Sequence, residues 1–255
     1  MSEPLPTWER PRFEAGGADA FLLYVLYGEF TADAPVSRLE YRTEGLPAGV
    51  EARKLTRDQS SDLPFISGEI AKVVREESPE IFEQAFAAPE CLMIKGAVAD
   101  PPNLNYLRDT IGMIAWWFDH GAVAALDVQR LKLYEPTAWW LDLFAPLPPR
   151  LANHVVILAS EEAGGTRWLH TRGMRKFGRP DLSIRRVGLD QLGAVVEMIN
   201  RFIAWQAEGG RVKEGQAITI AGLPGGMTCH HCGSVDDPEF NNAHLDIRWP
   251  SPYSF

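Results

Sequence analysis

The sequence predicts an α+β or α/β fold in two halves, each a β-sheet covered by helices. Segments with strand and helix patterns alternate on both sides of residues 146–149, Pro-Leu-Pro-Pro, the linker-like stretch in the interior of the chain. The 255 residues, 45% hydrophobic and 23% charged, suffice for one large domain or two small ones. The halves are compatible with a tandem of similar small α/β units, although no residue-level repeat establishes one.

The first half, residues 19–145, follows an N-terminal arm at residues 1–18 that is rich in Pro, Glu and Gly and lacks periodicity. Residues 21–27 are dense in aromatic and branched side chains and end at a glycine, which predicts a buried strand. Apolar residues then recur at helical spacing, and a Ser-Pro pair is typical of a helix start. Two helices are therefore expected at residues 67–77 and 79–86, after weak strand candidates at 39–42 and 50–55.

The pattern is more regular from residue 91 onward. Residues 91–98 are a strand candidate, and apolar residues spaced by three or four predict a helix from about residue 103 to the His-Gly pair at 120–121. A strand at residues 122–126 and a short tryptophan-bearing helix at 136–144 complete the first half.

The second half, residues 151–223, also alternates between strand and helix patterns. Two apolar runs around an Ala-Gly-Gly turn predict a β-hairpin, a further run predicts a third strand, and a long series at helical spacing predicts a helix closed by two glycines. These elements are expected at residues 154–159, 166–171, 182–187 and 189–208, followed by a strand at 217–221 and an irregular, Cys- and His-containing tail at 224–255.

The charge balance and the cysteine count exclude several classes of protein. Lys plus Arg number 25 and Asp plus Glu 34, so the formal net charge is −9, and nucleic acid and anionic membranes repel an acidic surface. An odd total of 3 cysteines does not suit a disulfide-stapled secreted scaffold. The N-terminus lacks the features of a leader peptide, and no apolar stretch approaches the roughly 20 residues that span a bilayer. We therefore expect a cytoplasmic protein without nucleic-acid or membrane partners.

A basic segment interrupts this acidic sequence. The cations Arg172, Arg175, Lys176 and Arg179 follow His170 within nine positions. Glycines and a proline shape the segment as a connection between strands. Because guanidinium groups bind carboxylate and phosphate bidentately, these five residues are candidates for an anion site. The alternative is a solvated loop whose cations pair with nearby carboxylates.

The same segment contains Thr-Arg-Gly-Met at 171–174 and Phe-Gly-Arg-Pro-Asp at 177–181. It resembles a bacterial family of unknown function in which a strand ending in T-x-G-M is followed by F-G-x-P-[D/E] and another strand. Residues 121–127 and the helix with Pro136 and Trp139 also resemble the first half of that family. The resemblance covers about residues 90–225 and implies a fold but no activity.

The run Cys-His-His-Cys at residues 229–232 suggests a metal site. Cys229 and Cys232 have the spacing with which two thiolates bind one zinc ion, and His244 is a candidate third ligand, with a carboxylate, Cys91 or a partner as the fourth. No second C-x-x-C accompanies the pair. A redox pair would require the first cysteine at a helix N-terminus. The remaining alternative is a glycine-flanked loop with two ordinary thiols.

The sequence contains two pairs of adjacent tryptophans, at residues 116–117 and 139–140. In each pair we expect one tryptophan in the core and the other at the surface. Trp117, Trp139 and Trp140 are candidate interface anchors, since exposed tryptophans dominate many protein interfaces. The common signatures of nucleotide binding, of hydrolases and of zinc proteases are missing from the sequence.

We therefore expect a non-catalytic binding or interaction module whose partner is another protein, and we assign no catalytic residues. Two alternatives stay open. One is a zinc-stabilised domain that uses the Cys-His-His-Cys run, and the other is an enzyme that acts on a small anionic substrate through residues 172–179. Zinc is the one cofactor that the sequence suggests.

Overall fold

A computed structural model describes residues 3–31, 34–56, 63–237 and 239–250. The chain forms two compact units. Unit 1 comprises Met1–Glu9 and Phe21–Arg150, and unit 2 comprises Arg10–Ala20 and Leu151–Phe255. Both contain helices and a β-sheet, so the α+β class that the sequence predicts is confirmed.

The sheet of unit 1 has five strands in the order β2-β3-β1-β4-β5. The central strand β1 is apolar throughout and buried at all but two positions, whereas the edge strand β2 is mostly exposed and charged, which suits an unpaired edge. β2 pairs antiparallel with β3, β1 with β4, and β4 with β5. The strands are Ala20–Gly28, Val50–Thr56, Glu90–Val98, Ala122–Asp127 and Lys132–Tyr134 for β1 to β5.

Four helices accompany this sheet: α1 (Gly68–Glu77), α2 (Pro79–Ala87), α3 (Asn105–Asp119) and α4 (Pro136–Trp139). Buried residues of α1 and α2, including Val74 and Phe82, pack in one core with the sheet residues Val25 and Leu126. The apolar spacing that predicts three of these helices in the sequence reflects this burial.

The sheet of unit 2 has six strands in the order β6-β7-β8-β11-β10-β9. Strands β8 and β11 are parallel, and β6–β7, β7–β8, β10–β11 and β9–β10 are antiparallel. The strands are Val156–Glu161, Arg167–Arg172, Asp181–Val187, Gln216–Ile218, Met227–Cys232 and His244–Arg248 for β6 to β11.

One long helix, α5 (Leu192–Ala207), contacts β8. Its residues Val195, Met198, Ile199 and Ile203 are buried, so the predicted core face exists, although it is rotated: Leu192 and Val196 are only half-buried. Leu189, which the sequence places in this helix, lies before its start and is exposed.

The largest difference from the sequence-based expectation lies near the C-terminus. Residues 224–255 were expected to be irregular, yet β10 and β11 are interior strands of the sheet. Met227, Cys229, Leu245 and Ile247 point into the core, and this alternation is the physical basis of both strands. The weak strand candidate at residues 39–42 is a turn instead. No helix within the described part of the chain is both long and apolar enough to cross a membrane.

Candidate functional site

Two cations of the basic segment in unit 2 are buried and donate hydrogen bonds to backbone carbonyls of the same unit. Arg179 is buried, and its guanidinium donates to the backbone oxygens of Glu14, Gly178, Gly209 and Gly210 at 2.8–3.2 Å. The buried Lys176 Nζ donates to His154 O at 2.8 Å. A cation that satisfies backbone carbonyls in the interior stabilises the fold and has little capacity left for an external anion.

The other two arginines of the segment also contact backbone carbonyls. Arg175 Nη1 donates to Asn241 O at 2.9 Å, and Arg172 Nη1 lies 3.4 Å from Glu239 O. Burial lowers the pKa of both guanidinium groups. Arg172 and Arg175 thus contact the same short segment at residues 239–241, whereas Lys176 and Arg179 bind carbonyls elsewhere in unit 2.

Asp181 connects the Thr-Arg-Gly-Met element at 171–174 with the Phe-Gly-Arg-Pro-Asp element at 177–181. Its carboxylate accepts hydrogen bonds from Thr171 Oγ1 (2.8 Å), Met174 N (3.2 Å) and Asn242 Nδ2 (2.8 Å). Burial raises its pKa to about 6, although these hydrogen bonds oppose the shift. The motif therefore joins three segments through one buried carboxylate.

His170 belongs to an aromatic cluster on the sheet. Its ring stacks on Trp168 with centroids 4.1 Å apart, and the edge of Phe240 approaches at 5.5 Å. Burial lowers the pKa of His170 to about 4, and the nearby cations Arg172 and Arg185 add to this effect. The imidazole is consequently neutral near pH 7 and contributes no charge to an anion site.

The candidate zinc ligands lie on β10 and β11 in positions that do not suit a shared metal ion. Side chains three positions apart on a strand point to opposite faces, so the buried Cys229 and the partly exposed Cys232 diverge. His244 pairs with Cys232 across the strands, and its ring stacks on Phe240. Within the described part of the chain, no group of three or more His, Cys, Asp or Glu could hold a metal ion.

The histidines between the two cysteines make local hydrogen bonds instead. His230 Nδ1 lies 2.7 Å from a carboxylate oxygen of Glu214, and His231 Nε2 donates to Val212 O at 2.8 Å. Burial raises the pKa of the Cys229 thiol to about 11, which disfavours the thiolate that metal binding and redox catalysis require.

The three candidate interface tryptophans of unit 1 differ in exposure. Trp139 is fully buried: its ring packs edge-on against Tyr24 and Tyr134, and its Nε1 donates to Ile111 O at 3.3 Å. Trp117 is half-buried against Trp116 and Phe30. A side chain without exposed surface cannot anchor an interface, so the assignment of Trp139 is corrected to a core residue.

Trp140 is the exposed member of its pair, with 46% of its surface accessible, and the neighbouring Leu141 is 60% accessible. The two begin a π-helical turn, Trp140–Phe144, that continues α4 and closes with a hydrogen bond from Ala145 N to Trp140 O at 2.8 Å. The wider turn buries Leu143 and Phe144 and leaves Trp140 and Leu141 outside. Insertions of this kind are frequent at functional sites.

A cleft of about 330 Å³ lies beside this turn. Its walls are formed by α3 and by the start of α4, and they are mainly apolar. Phe118, Asp119, Pro136, Trp140 and Leu141 contribute to them. Asp119 carries the charge among the described lining residues, and its carboxylate accepts a hydrogen bond from Tyr41 at 2.9 Å. We name Trp140, Leu141 and this cleft the aromatic ridge.

No protein-family model, curated protein or solved structure matches the chain. The resemblance carried by residues 171–181 therefore stays a prediction, and the geometry of the chain itself must support any functional proposal.

Sequence reasoning missed Leu141 and the cleft. A signal was present: residues 139–144, Trp-Trp-Leu-Asp-Leu-Phe, contain five large apolar side chains in six positions. One face of a short helix cannot bury all of them, so some must be exposed. Likewise, Trp168 shares a strand face with His170 two positions away, but Phe240 comes from a distant loop that spacing alone does not bring near them.

Proposed function

We propose that the protein is a non-catalytic binding module that docks another protein on the aromatic ridge. The observation that carries the proposal is the exposure of Trp140 and Leu141 side by side next to a cleft. Isolated exposed apolar residues are ordinary on protein surfaces, but a tryptophan next to a pocket is typical of the centre of an interface.

The ridge suits a partner segment with an apolar side chain next to a basic one. The apolar walls accept an aliphatic or aromatic group, and Asp119 at the cleft offers a carboxylate to a Lys or Arg. Glu135 is exposed at the start of α4, and the chain as a whole carries a formal net charge of −9. Charge complementarity of this kind accelerates association and selects among partners.

The alternative of an enzyme acting on small anionic substrates receives less support. It depends on residues 172–179, and Lys176 and Arg179 in that segment bind backbone carbonyls inside unit 2. The zinc-stabilised alternative depends on Cys229 and Cys232, which point to opposite faces of β10.

Selection of random displayed peptides against the purified protein tests the proposal. We expect the selected peptides to combine apolar residues with Lys or Arg, and to bind Trp140→Ala about 30-fold more weakly, as for a central interface residue. Asp119→Asn should weaken the binding of basic peptides specifically, because it removes the negative charge but retains an oxygen that accepts the hydrogen bond from Tyr41. Affinities are measured by fluorescence anisotropy of the labelled peptides.

Leu189→Ala is the matched control, because Leu189 is 63% exposed but lies in unit 2. Selected peptides should bind this variant as tightly as the unaltered protein. Peptides that bind Trp140→Ala with unchanged affinity, or a selection that enriches acidic peptides, would overturn the proposal.

A further inference from the structure

We propose that unit 2 has a second, independent binding site for a small organic acid, a carboxylate attached to a flat apolar body. The site is a pocket of about 370 Å³ on the outer side of α5. Three parts of unit 2 form it: α5, the chain around β9, and residues 10–20, which we call the leading segment. Its lining consists of Arg12, Arg201, Phe202, Trp205, Gln216 and Ile220.

The walls of the pocket are apolar and partly aromatic. Phe202 and Trp205 are three positions apart on α5 and therefore lie on the same side of the helix, and Ile220 also lines the pocket. A Cβ atom at Gly210 would overlap with the indole ring of Trp205, so the ring lies directly against the backbone there. This contact holds the indole in place, and a fixed aromatic surface favours a flat ligand.

Two guanidinium groups line the same pocket. Arg12 Nε donates to Glu208 at 2.7 Å, and Arg201 pairs with Glu197 one helical turn earlier. Both pairs are solvent-exposed, and such pairs are weak. Because a guanidinium has five N–H donors in a planar fork, each arginine can also bind a ligand carboxylate.

The leading segment fixes the position of Arg12. Arg12 N donates to Glu208 O at 3.0 Å, and Glu14 N donates to Gly209 O at 3.1 Å, so the backbone of the segment is bound to the C-terminal end of α5. On the other side, Gln216 Oε1 accepts a hydrogen bond from Lys213 N at 3.0 Å. The amide of Gln216 therefore offers its NH₂ group as a further donor.

The charge of the pocket determines the class of ligand. The described lining residues include two arginines and no carboxylate, and their partners Glu208 and Glu197 do not line the pocket. An apolar pocket with cations at its rim attracts an amphipathic anion and disfavours cations. Its volume lies at the lower end of the range of ligand pockets, which fits a small acid.

Isothermal titration of the whole protein with 3-phenylpropionate and with 3-phenylpropanamide tests this inference. The two compounds share an apolar body and differ in charge. We expect the acid to bind at least about tenfold more tightly than the amide, since the amide lacks the bidentate ionic contact. Arg201→Gln and Arg12→Gln should each reduce the affinity for the acid, and Trp205→Leu should reduce the affinity for both compounds.

Arg167→Gln is the matched control, because Arg167 pairs with Glu161 on the surface of unit 2 at 2.8 Å but does not line the pocket. This variant, like Trp140→Ala in unit 1, should bind the acid normally, which separates this site from the aromatic ridge. Thermal melting curves establish that the variants are folded. Equal affinity for acid and amide, no binding of either, or unchanged binding by Arg201→Gln would overturn the inference.

Discussion

His170 makes the stability of the protein depend on pH. An unfolded chain protonates this histidine near its ordinary pKa of 6.5, whereas the pKa in the folded protein is about 4. As the pH falls below 6.5, the unfolded state gains protons that the folded state does not, so stability decreases until about pH 4. Asp181 acts in the opposite direction, because its pKa rises from 3.8 to about 6 in the folded protein. As the pH falls below 6, the folded state therefore binds a proton before the unfolded state does, which stabilises the protein.

Replacement of His170 by glutamine isolates the histidine from this opposing effect. The free energy of unfolding of the unaltered protein minus that of His170→Gln should decrease by about 2 kcal/mol between pH 7 and pH 4.5, while Asp181 is common to both proteins and cancels. Urea-induced unfolding at the two pH values measures this difference. A difference that is independent of pH would show that the ring is not held neutral.

At the level of elements, periodicity in the sequence predicts the long helices and the apolar strands. Burial is the common cause: α5 buries one face, whereas β1 is apolar throughout and α3 is buried at every position from Tyr106 to Trp116. Strands β10 and β11 escaped prediction because Cys and His favour no particular element and because glycines flank the run. Their pairing with each other and with β8 depends on long-range contacts that no local pattern expresses.

The aromatic ridge shows a second limit of sequence reasoning. A regular α-helix over residues 136–144 was expected, but a π-helical turn follows Trp139. Trp139 ends α4 and is buried, whereas Trp140 begins the turn and is exposed. The sequence identified the pair but could not assign the two roles, because they depend on which side of the short helix packs against β1 and β5.

Two glycines in helices provide a test of packing at this scale. A Cβ atom at Gly112 in α3 would overlap with Tyr41 O, whereas a Cβ atom at Gly193 in α5 would meet open space. We expect Gly112→Ala to destabilise the protein by about 2 kcal/mol or more, and Gly193→Ala to stabilise it by about 0.5 kcal/mol. Chemical denaturation measures both effects. Equal effects of the two substitutions would contradict the close approach of Tyr41 to α3.

At the scale of the whole molecule, the chain does not divide into an N-terminal and a C-terminal part. The sequence suggested an arm at residues 1–18, yet the leading segment, residues 10–20, belongs to unit 2. Arg179 connects it to that unit, since one guanidinium binds Glu14 O as well as Gly209 O and Gly210 O. Glu14 and Arg179 are separated by 165 positions, and no sequence pattern predicts a contact at this distance.

Arg179→Met tests the importance of this connection, because methionine preserves much of the apolar volume and removes the donors. We expect a loss of about 3 kcal/mol in the free energy of unfolding of unit 2, since several buried carbonyls lose their partners. Hydrogen exchange of the leading segment and α5 should accelerate in parallel. Arg248→Met, which removes an exposed pair with Asp246, should cost less than about 1 kcal/mol. Comparable losses in the two variants would argue against the role of Arg179.

The placement of the leading segment also sets an order of events during protein synthesis. A ribosome makes residues 10–20 before residues 21–150, but Arg12 binds Glu208, which comes 196 positions after it. In the meantime, residues 21–150 emerge and can complete the core of unit 1, because domains generally fold as units during translation. The leading segment therefore stays hydrated on the nascent chain until α5 has left the exit tunnel. Although it is translated before residues 21–150, it acquires its structure after them.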